Sequence, residues 1–332
     1  MRPRTLVLAG AVACVALAAG CSDSPSPAPD QPREPRSAAP TQAAPPTQPP
    51  TQATEPAPAP QSAPRVAPDD VRVATAQAAV RHLAGRIGPR PGTSPAYFRA
   101  AAWVHDELAG LGWQVRRQRF RAPAGVSWGV PVPGGRSTNV IATRGDVRPG
   151  RPWLLVGAHL DTVPQAPGAE DNASGVGALL AVAEAAAARR TRLPVVLVAF
   201  GAEEPRGPTD ADHHYGSRAY VASLPARERR ALRGMVSLDR VGVGGTLPVG
   251  SVEAGDPLRA EVLAAARRAG VPTQAEDGQR SSDHWSFVRA GLPGVRLGST
   301  PYAGYHSADD TPGVVEREQL ERTARTVVAW LR

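Results

Sequence analysis

Lysine is absent: all 38 basic residues are arginine. A GC-rich coding bias accounts for that more simply than a selected cationic patch, because the arginines are scattered along the chain. Aromatic residues make up only 5% of the sequence. Nucleic-acid recognition calls for clustered cations interleaved with stacking aromatics, so no nucleic-acid partner is expected. Cysteine is nearly absent too. Cys14 and Cys21 are the only two, and both lie at the start of the chain. Everything after them can form no internal disulfide. Its stability must come from core burial and from any bound metal. Beyond residue 21, no run approaches the roughly 20 apolar residues that a membrane span needs.

The start of the chain has the pattern of an export signal. Arg2 and Arg4 precede an unbroken apolar or small-residue run over 6–19, too short to cross a bilayer comfortably. The run ends Leu-Ala-Ala-Gly-Cys21. Small residues directly before a cysteine resemble the lipobox of bacterial lipoproteins, with Ala18 in place of the more usual leucine. That resemblance implies a signal peptide over 1–20, cleavage before Cys21 and lipidation of its thiol. The protein would then be exported and held at the cell surface by a lipid anchor; an ordinary cleaved secretion signal is the alternative. Residues 21–67 are mostly Pro, Ala, Gln, Thr and Ser. They hold too little bulky apolar surface to form a core. As a polyproline-like tether they could reach roughly 140 Å, at about 3.1 Å per residue. What remains, 68–332, has the length of one α/β domain. It carries 33 Arg against 26 acids, a net charge of +7.

Within that domain, helical and strand patterns alternate. Helices are predicted over 71–87 and 95–111, the first broken by Gly88-Pro-Arg-Pro-Gly92 and the second ended near Gly110 and Gly112. Strands follow at 113–120, 137–143 and 153–156. The stretch 194–200 is continuously apolar, as in a strand buried on both faces. A helix at 217–224, a strand at 234–238, a helix at 256–269, a short helix at 282–290, a strand at 294–297 and a final helix at 315–331 complete the chain. The order predicts a single α/β domain with a mixed, mostly parallel central sheet flanked by helices.

Chemistry gathers at the ends of these strands. Gly157-Ala-His-Leu-Asp161 and Pro167-Gly-Ala-Glu-Asp171-Asn-Ala-Ser-Gly175 form a polar loop between a strand and a helix. In open α/β sheets, ligands bind at the carboxyl ends of strands. A His-x-Asp pair suits a metal site, where the histidine ligates and the carboxylate orients its ring. Phe200-Gly-Ala-Glu203-Glu204 ends the most apolar strand, Leu238-Asp239-Arg240 ends the next, and Tyr305-His306 follows the one after. Unpaired acids at the rim of a buried sheet are costly, and a bound cation offsets that cost. Histidine and carboxylate donors without cysteine suit zinc, with manganese or cobalt as alternatives.

These segments, with Ser282-Asp283-His284, resemble the secreted bacterial leucyl aminopeptidase and aminopeptidase Y family of two-zinc metallopeptidases. Order and spacing agree over most of 68–332. The resemblance implies a phosphorylase/hydrolase-like fold and two Zn2+ per chain. His159 and Asp239 would hold one zinc, Glu204 and His306 the other, and Asp171 would bridge both. Glu203 would be the general base, Tyr305 a donor to the developing oxyanion, and Asp161 the partner that orients His159. Asp283 is expected to support the site from behind. The substrates implied are peptides with a free N-terminus, and the chain is expected to act as a monomer. His213 and His214 fall in a loop, 205–215, longer than the family's usual short connection, and are expected to be solvated.

Arg240 departs from the family pattern, in which the residue after that aspartate is often apolar and lines the substrate pocket. A guanidinium there would either favour acidic or polar side chains or turn aside to pair with a nearby acid. Three rival readings remain. Two-metal carboxypeptidases and deacylases share the ligand order but insert a lid or dimerisation domain. Only 67 positions separate Asp239 from His306, too few for one. Glutaminyl cyclases share the fold but typically use one zinc. A catalytically inactive tethered binding protein would lack a ligand, and none is missing.

Overall fold

A computed structural model describes residues 66–144 and 147–332. The signal segment, Cys21 and the tether up to residue 65 lie outside the described residues. α1 (Val73–Val80) runs directly into a π-helical segment, Arg81–Ile87. α2 (Pro95–Gly110) starts at Ser94, whose side chain accepts the Tyr97 N–H at 3.1 Å. Proline at the first helical position and a serine cap are the usual start signals. β1 (Gln114–Ala122) and β4 (Gly135–Arg144) pair antiparallel. Between them lies a small hairpin, β2 (Gly125–Ser127) and β3 (Val130–Val132).

β5 (Trp153–His159), α3 (Gly175–Ala188) and β6 (Val195–Phe200) follow. Then come α4 (Tyr215–Ser223), α5 (Ala226–Ala231) and β7 (Leu232–Asp239). β8 (Leu247–Gly250), α6 (Pro257–Arg268) and β9 (Thr273–Glu276) come next. α7 (His284–Val288), β10 (Gly294–Gly298) and α8 (Arg317–Leu331) close the chain. Among the described residues no helix is long and apolar enough to cross a membrane.

The main sheet has eight strands in the order β1-β4-β6-β5-β7-β10-β8-β9. Its centre, β6-β5-β7-β10, is wholly parallel, while the β1-β4-β6 flank and the β10-β8 pair are antiparallel. The expected mixed, mostly parallel sheet flanked by helices is therefore what forms. Val195, Leu197 and Ala199 join one core with α1, α2, α3, α6 and α8. Val196, Val198 and Phe200 join a second core with Tyr220 and Phe287 on the opposite face. Burial on both faces explains why this strand's sequence never alternates in polarity. Gly157 in β5 has a matching reason to lack a side chain. A Cβ there would collide with the Phe200 ring.

Three parts of the fold have weak sequence signals. The hairpin strands are three residues each and contain Pro131. β8 is four residues and holds Pro248, and β9 is the polar, half-exposed Thr-Gln-Ala-Glu. Such strands are specified by their neighbours rather than by their own pattern.

Candidate metal centre

The parallel register brings four strand ends to one rim. His159 is the last residue of β5 and pairs across to Phe200. Asp239 is the last residue of β7 and pairs with Gly298 of β10. Glu203 and Glu204 stand just past β6, Tyr305 and His306 lie in the loop beyond β10, and Asp171 lies between β5 and α3. All of these except Tyr305 and His306 are buried to below a tenth of their surface.

Asp171 sits at the middle of the set. Its Oδ1 is 3.1 Å from His159 Nε2, and its Oδ2 is 3.0 Å from His306 Nε2. His159 Nε2 is also 3.7 Å from Asp239 Oδ1, and His306 Nε2 is 3.6 Å from Glu204 Oε2. Two donors on one tetrahedral zinc, each about 2.1 Å from it, stand roughly 3.4 Å apart. The four distances bracket that value. His159, Asp171 and Glu204 each bring a donor atom within 4.8 Å of the other two, and so do His159, Glu203 and Asp239. Glu204 Oε1 and Asp239 Oδ1 are buried with no hydrogen-bond donor among the described residues. Buried carboxylate oxygens without donors are rare unless a cation serves them. The donor set therefore makes two buried candidate metal sites that share His159, consistent with a co-catalytic zinc centre.

The electrostatics agree. Burial alone would raise the Asp171 carboxyl, but hydrogen bonds from His159 and His306 hold it well below the usual range. Burial alone would lower the His159 imidazole, yet Glu203, Asp171 and Asp239 raise it well above its ordinary value. Glu204 is pushed well up, first by burial and then by the charges of Asp171 and Glu203. These are the shifts of a carboxylate-rich site that wants positive charge.

The loops are held by buried groups that sequence reading did not single out. Arg90, in the Gly-Pro-Arg-Pro-Gly break, is fully buried. Its guanidinium donates to the carbonyls of Leu160 (2.7 Å), Pro167 (2.7 Å), Gly168 (2.9 Å), Gly88 (3.2 Å) and Leu83 (3.4 Å). The loop of Asp161 is thereby tied to the loop of Asp171. Asp310 accepts the N–H groups of Glu170 (2.7 Å) and Asp171 (3.1 Å). Asn172 donates to the Leu238 carbonyl at 2.8 Å and accepts the Arg240 N–H at 3.2 Å, joining this loop to the end of β7.

Asp161 makes a different contact from the one expected. His159 Nδ1 lies 3.2 Å from the Asp161 backbone carbonyl and 3.8 Å from its carboxylate. The carboxylate instead accepts the N–H groups of Glu203 (3.0 Å) and Glu204 (3.2 Å). It orients the Glu-Glu turn more closely than the histidine. Asp283 is fully buried. Burial and then the Glu203 charge push its carboxyl up to about 7.

The expectation of solvated His213 and His214 is corrected. His213 is half-buried, and His214 is 3% exposed with Nε2 3.1 Å from Glu203 Oε1. The cause is local. His214 donates its N–H to the Glu203 carbonyl, Tyr215 donates to Ala202, and φ of +59° at His214 turns its ring inward. Arg206 fixes the start of this loop by donating to the carbonyls of Pro123 (2.6 Å) and Pro133 (2.8 Å) beside the β2–β3 hairpin. The hairpin tip carries Trp128, also missed, whose ring packs edge-on against His306 at 4.4 Å. Tyr305 stacks on His306 at 3.7 Å, and the Arg240 guanidinium lies 4.4 Å above the Tyr305 ring. Together these side chains line a cavity of about 450 Å3 over the centre.

An α/β sheet with histidines and buried carboxylates gathered around Asp171 at its strand ends is the frame of a candidate metal centre, and the family match makes it that of a metallo-hydrolase. The chain belongs to peptidase family M28, whose pattern it matches over residues 139–331. It is 28% identical over 236 residues to leupeptin-inactivating enzyme 1 of Streptomyces exfoliatus, covering 68% of this chain and 49% of that protein. It is 27% identical over 187 residues to aminopeptidase YwaD of Bacillus subtilis, covering 53% and 40% respectively. The chain thus spans about half the length, or less, of these curated relatives. Two solved structures share the fold. A zinc aminopeptidase from Bacillus subtilis matches with a TM-score of 0.69 and 18% identity, over 78% of this chain and 94% of that one. Porphyromonas gingivalis glutaminyl cyclase matches with a TM-score of 0.68 and 23% identity, over 79% and 98%.

Proposed function

We propose that this domain is a zinc-dependent aminopeptidase that removes N-terminal residues from peptides. The observation that carries the reading is Asp171, whose two carboxylate oxygens each face a different histidine. His159, Asp239 and Asp171 would hold one zinc, and Glu204, His306 and Asp171 the other. Such a pair supplies a water of lowered pKa and polarises the scissile carbonyl. The chain's own residues do the rest. Glu203 brings a carboxylate to the His159 and Asp239 side of the centre; in this reading it serves as base and not as ligand, taking the water's proton and passing it to the leaving amine. His214, against Glu203, holds the base in place. Tyr305 stands on His306 at the cavity wall, where a phenol can donate to the developing oxyanion. Relatives named as aminopeptidases support the choice of a free N-terminus.

Chelation should abolish cleavage of an unblocked aminoacyl p-nitroanilide, and added zinc should restore it. Equal cleavage of N-acetylated substrates would remove the exopeptidase assignment. Glu203→Gln should lose turnover by about a hundredfold or more while keeping its zinc, whereas Glu204→Gln should lose metal. Loss of metal in both would show that the two glutamates have been given the wrong roles.

The fold likeness to a glutaminyl cyclase keeps a second reaction in view. Peptides beginning with glutamine separate the two, since cyclisation releases ammonia and hydrolysis releases free glutamine. The lipobox-like sequence supports a lipid anchor at Cys21, with residues 21–67 as the tether. Incorporation of labelled fatty acid, lost in Cys21→Ala, would test that.

A further inference from the structure

The cavity over the centre has a sign of its own once the candidate ligands and base are set aside. Its remaining acid is Asp210, and that carboxylate is already engaged. It accepts the Trp285 indole N–H at 3.0 and 3.1 Å and pairs with Arg289 at 3.2 Å. Its cations are less committed. Arg240 lines the cavity with its guanidinium lying over Tyr305. Only its Nε approaches an acid, Asp239 at 3.6 Å. Among the described residues the Arg240 side chain donates no hydrogen bond to the protein, so its two terminal amino groups are left without a protein acceptor while the residue lines the cavity. Burial alone would lower this guanidinium, yet the Asp239 and Asp171 charges raise it.

A second cation, Arg280, stands on the neighbouring wall, over the Trp285 ring at 5.2 Å and with no acid partner among the described residues. That wall is braced from beneath. The buried Arg296 donates to Ser281 at 2.6 Å and to the Gln279 side chain at 2.9 Å. A guanidinium with a free fork, desolvated on one face by an aromatic ring, matches a carboxylate better than any apolar group.

We propose that this pocket selects an acidic first residue, glutamate or aspartate, with Arg240 as the bidentate partner and Arg280 as a second, outer cation. The proposal rests on the aminopeptidase reading for its reaction but not for its binding preference. The alternative to it is plain. If Asp239 alone satisfied Arg240, the pocket would present its aromatic wall and prefer leucine or phenylalanine.

Kinetics and binding test it together. The kcat/KM values for Glu, Asp, Gln and Leu p-nitroanilides are compared in wild type, Arg240→Gln, Arg240→Met and Arg280→Ala, with zinc content measured for each. Separately, free glutamate and leucine are titrated calorimetrically into zinc-loaded Glu203→Gln protein. Wild type should favour Glu over both Leu and Gln. Either Arg240 variant should lower the Glu-to-Leu ratio roughly ten- to hundredfold. Arg280→Ala should lower it only about two- to fivefold, as for a solvent-exposed pair. Leucine processed as well as glutamate by wild type, or a ratio unchanged in a zinc-retaining Arg240 variant, overturns the proposal. Leucine bound as tightly as glutamate does the same. If no aminoacyl substrate is cleaved while glutamate still binds more tightly than leucine, the aminopeptidase reading falls and the acid-selecting pocket stands.

Discussion

Two clusters of buried charge meet along residues 160–171, and they are built in opposite ways. Around Arg90, one cation faces five carbonyl oxygens at hydrogen-bond distance. Around Asp171, carboxylates and imidazoles face one another across 3.0–3.7 Å, and two buried oxygens have no donor. A buried charge whose partners are all backbone is complete by itself and serves the fold. A cluster of acids short of donors is incomplete, and it costs stability until a cation arrives. Exposure does not distinguish the two, since both are buried. The difference lies in what remains unpaired.

The largest effect expected from breaking this comparison is at Arg90. Burial pulls its guanidinium down to about 10, which still leaves it charged at neutral pH. Arg90→Met removes the charge and strands several carbonyls in the interior. The expected loss is about 4 kcal/mol of stability, in the range for breaking a buried charged network. A denaturant melt of the metal-free domain measures it. A loss below about 1 kcal/mol, the value of an ordinary hydrogen bond, would show that water takes over and that the cluster is not complete in the sense argued.

His284 sharpens the same contrast with a group that is half satisfied. It is fully buried, its Nε2 donates to the Gln279 carbonyl at 2.9 Å, and its Nδ1 has no partner among the described residues. Burial lowers its imidazole to about 3, against 6.5 for the ordinary group. Between those values the unfolded chain binds a proton that the folded chain refuses. Stability is therefore complete above about 6.5 and falls as the pH drops towards 3. This one group accounts for about 3 kcal/mol lost by pH 4. Urea melts between pH 4 and 7 should give a shallower acid limb for His284→Asn than for wild type. Parallel limbs would mean that His284 titrates normally.

Part of the rim was legible in the sequence because His159, Glu204 and Asp239 each end or closely follow a run that reads as a buried strand. Val195–Phe200 leads to Glu203 and Glu204, and Leu232–Asp239 ends on its own acid. The supports were not legible, because their signals imitate ordinary features. Arg90 sits in a Pro- and Gly-rich break that reads as a loop. Asp310 is one of two adjacent acids, and nothing local marks it as the one that is buried. His214 lies in a polar stretch, and only the turn back to Glu203 places its ring inside. Trp128 belongs to a hairpin too short to show a strand pattern. In each case the deciding partner is distant in sequence or hidden in backbone conformation.

Asp161 stands against both His159 and the Glu-Glu turn, and the smallest expected effect decides which of the two its carboxylate serves. Its carbonyl receives the His159 contact, while its carboxylate accepts two backbone N–H groups from the Glu-Glu turn. Asp161→Asn keeps the carbonyl and one accepting oxygen but sets an amide N–H against the second donor. One buried donor is left unpaired, worth about 1–3 kcal/mol. If that strain is felt mainly in the placement of Glu203, turnover falls roughly ten- to hundredfold. The fall should appear in kcat, because the base acts only once substrate is bound. Zinc affinity should hold, because His159 keeps its carbonyl partner. If the carboxylate instead orients His159, as the sequence alone had implied, the pattern reverses. Zinc affinity would then drop by roughly ten- to hundredfold, the usual result of losing a histidine's outer carboxylate. Measuring zinc affinity by competition with a chelating dye, alongside kcat at saturating zinc, separates the two roles.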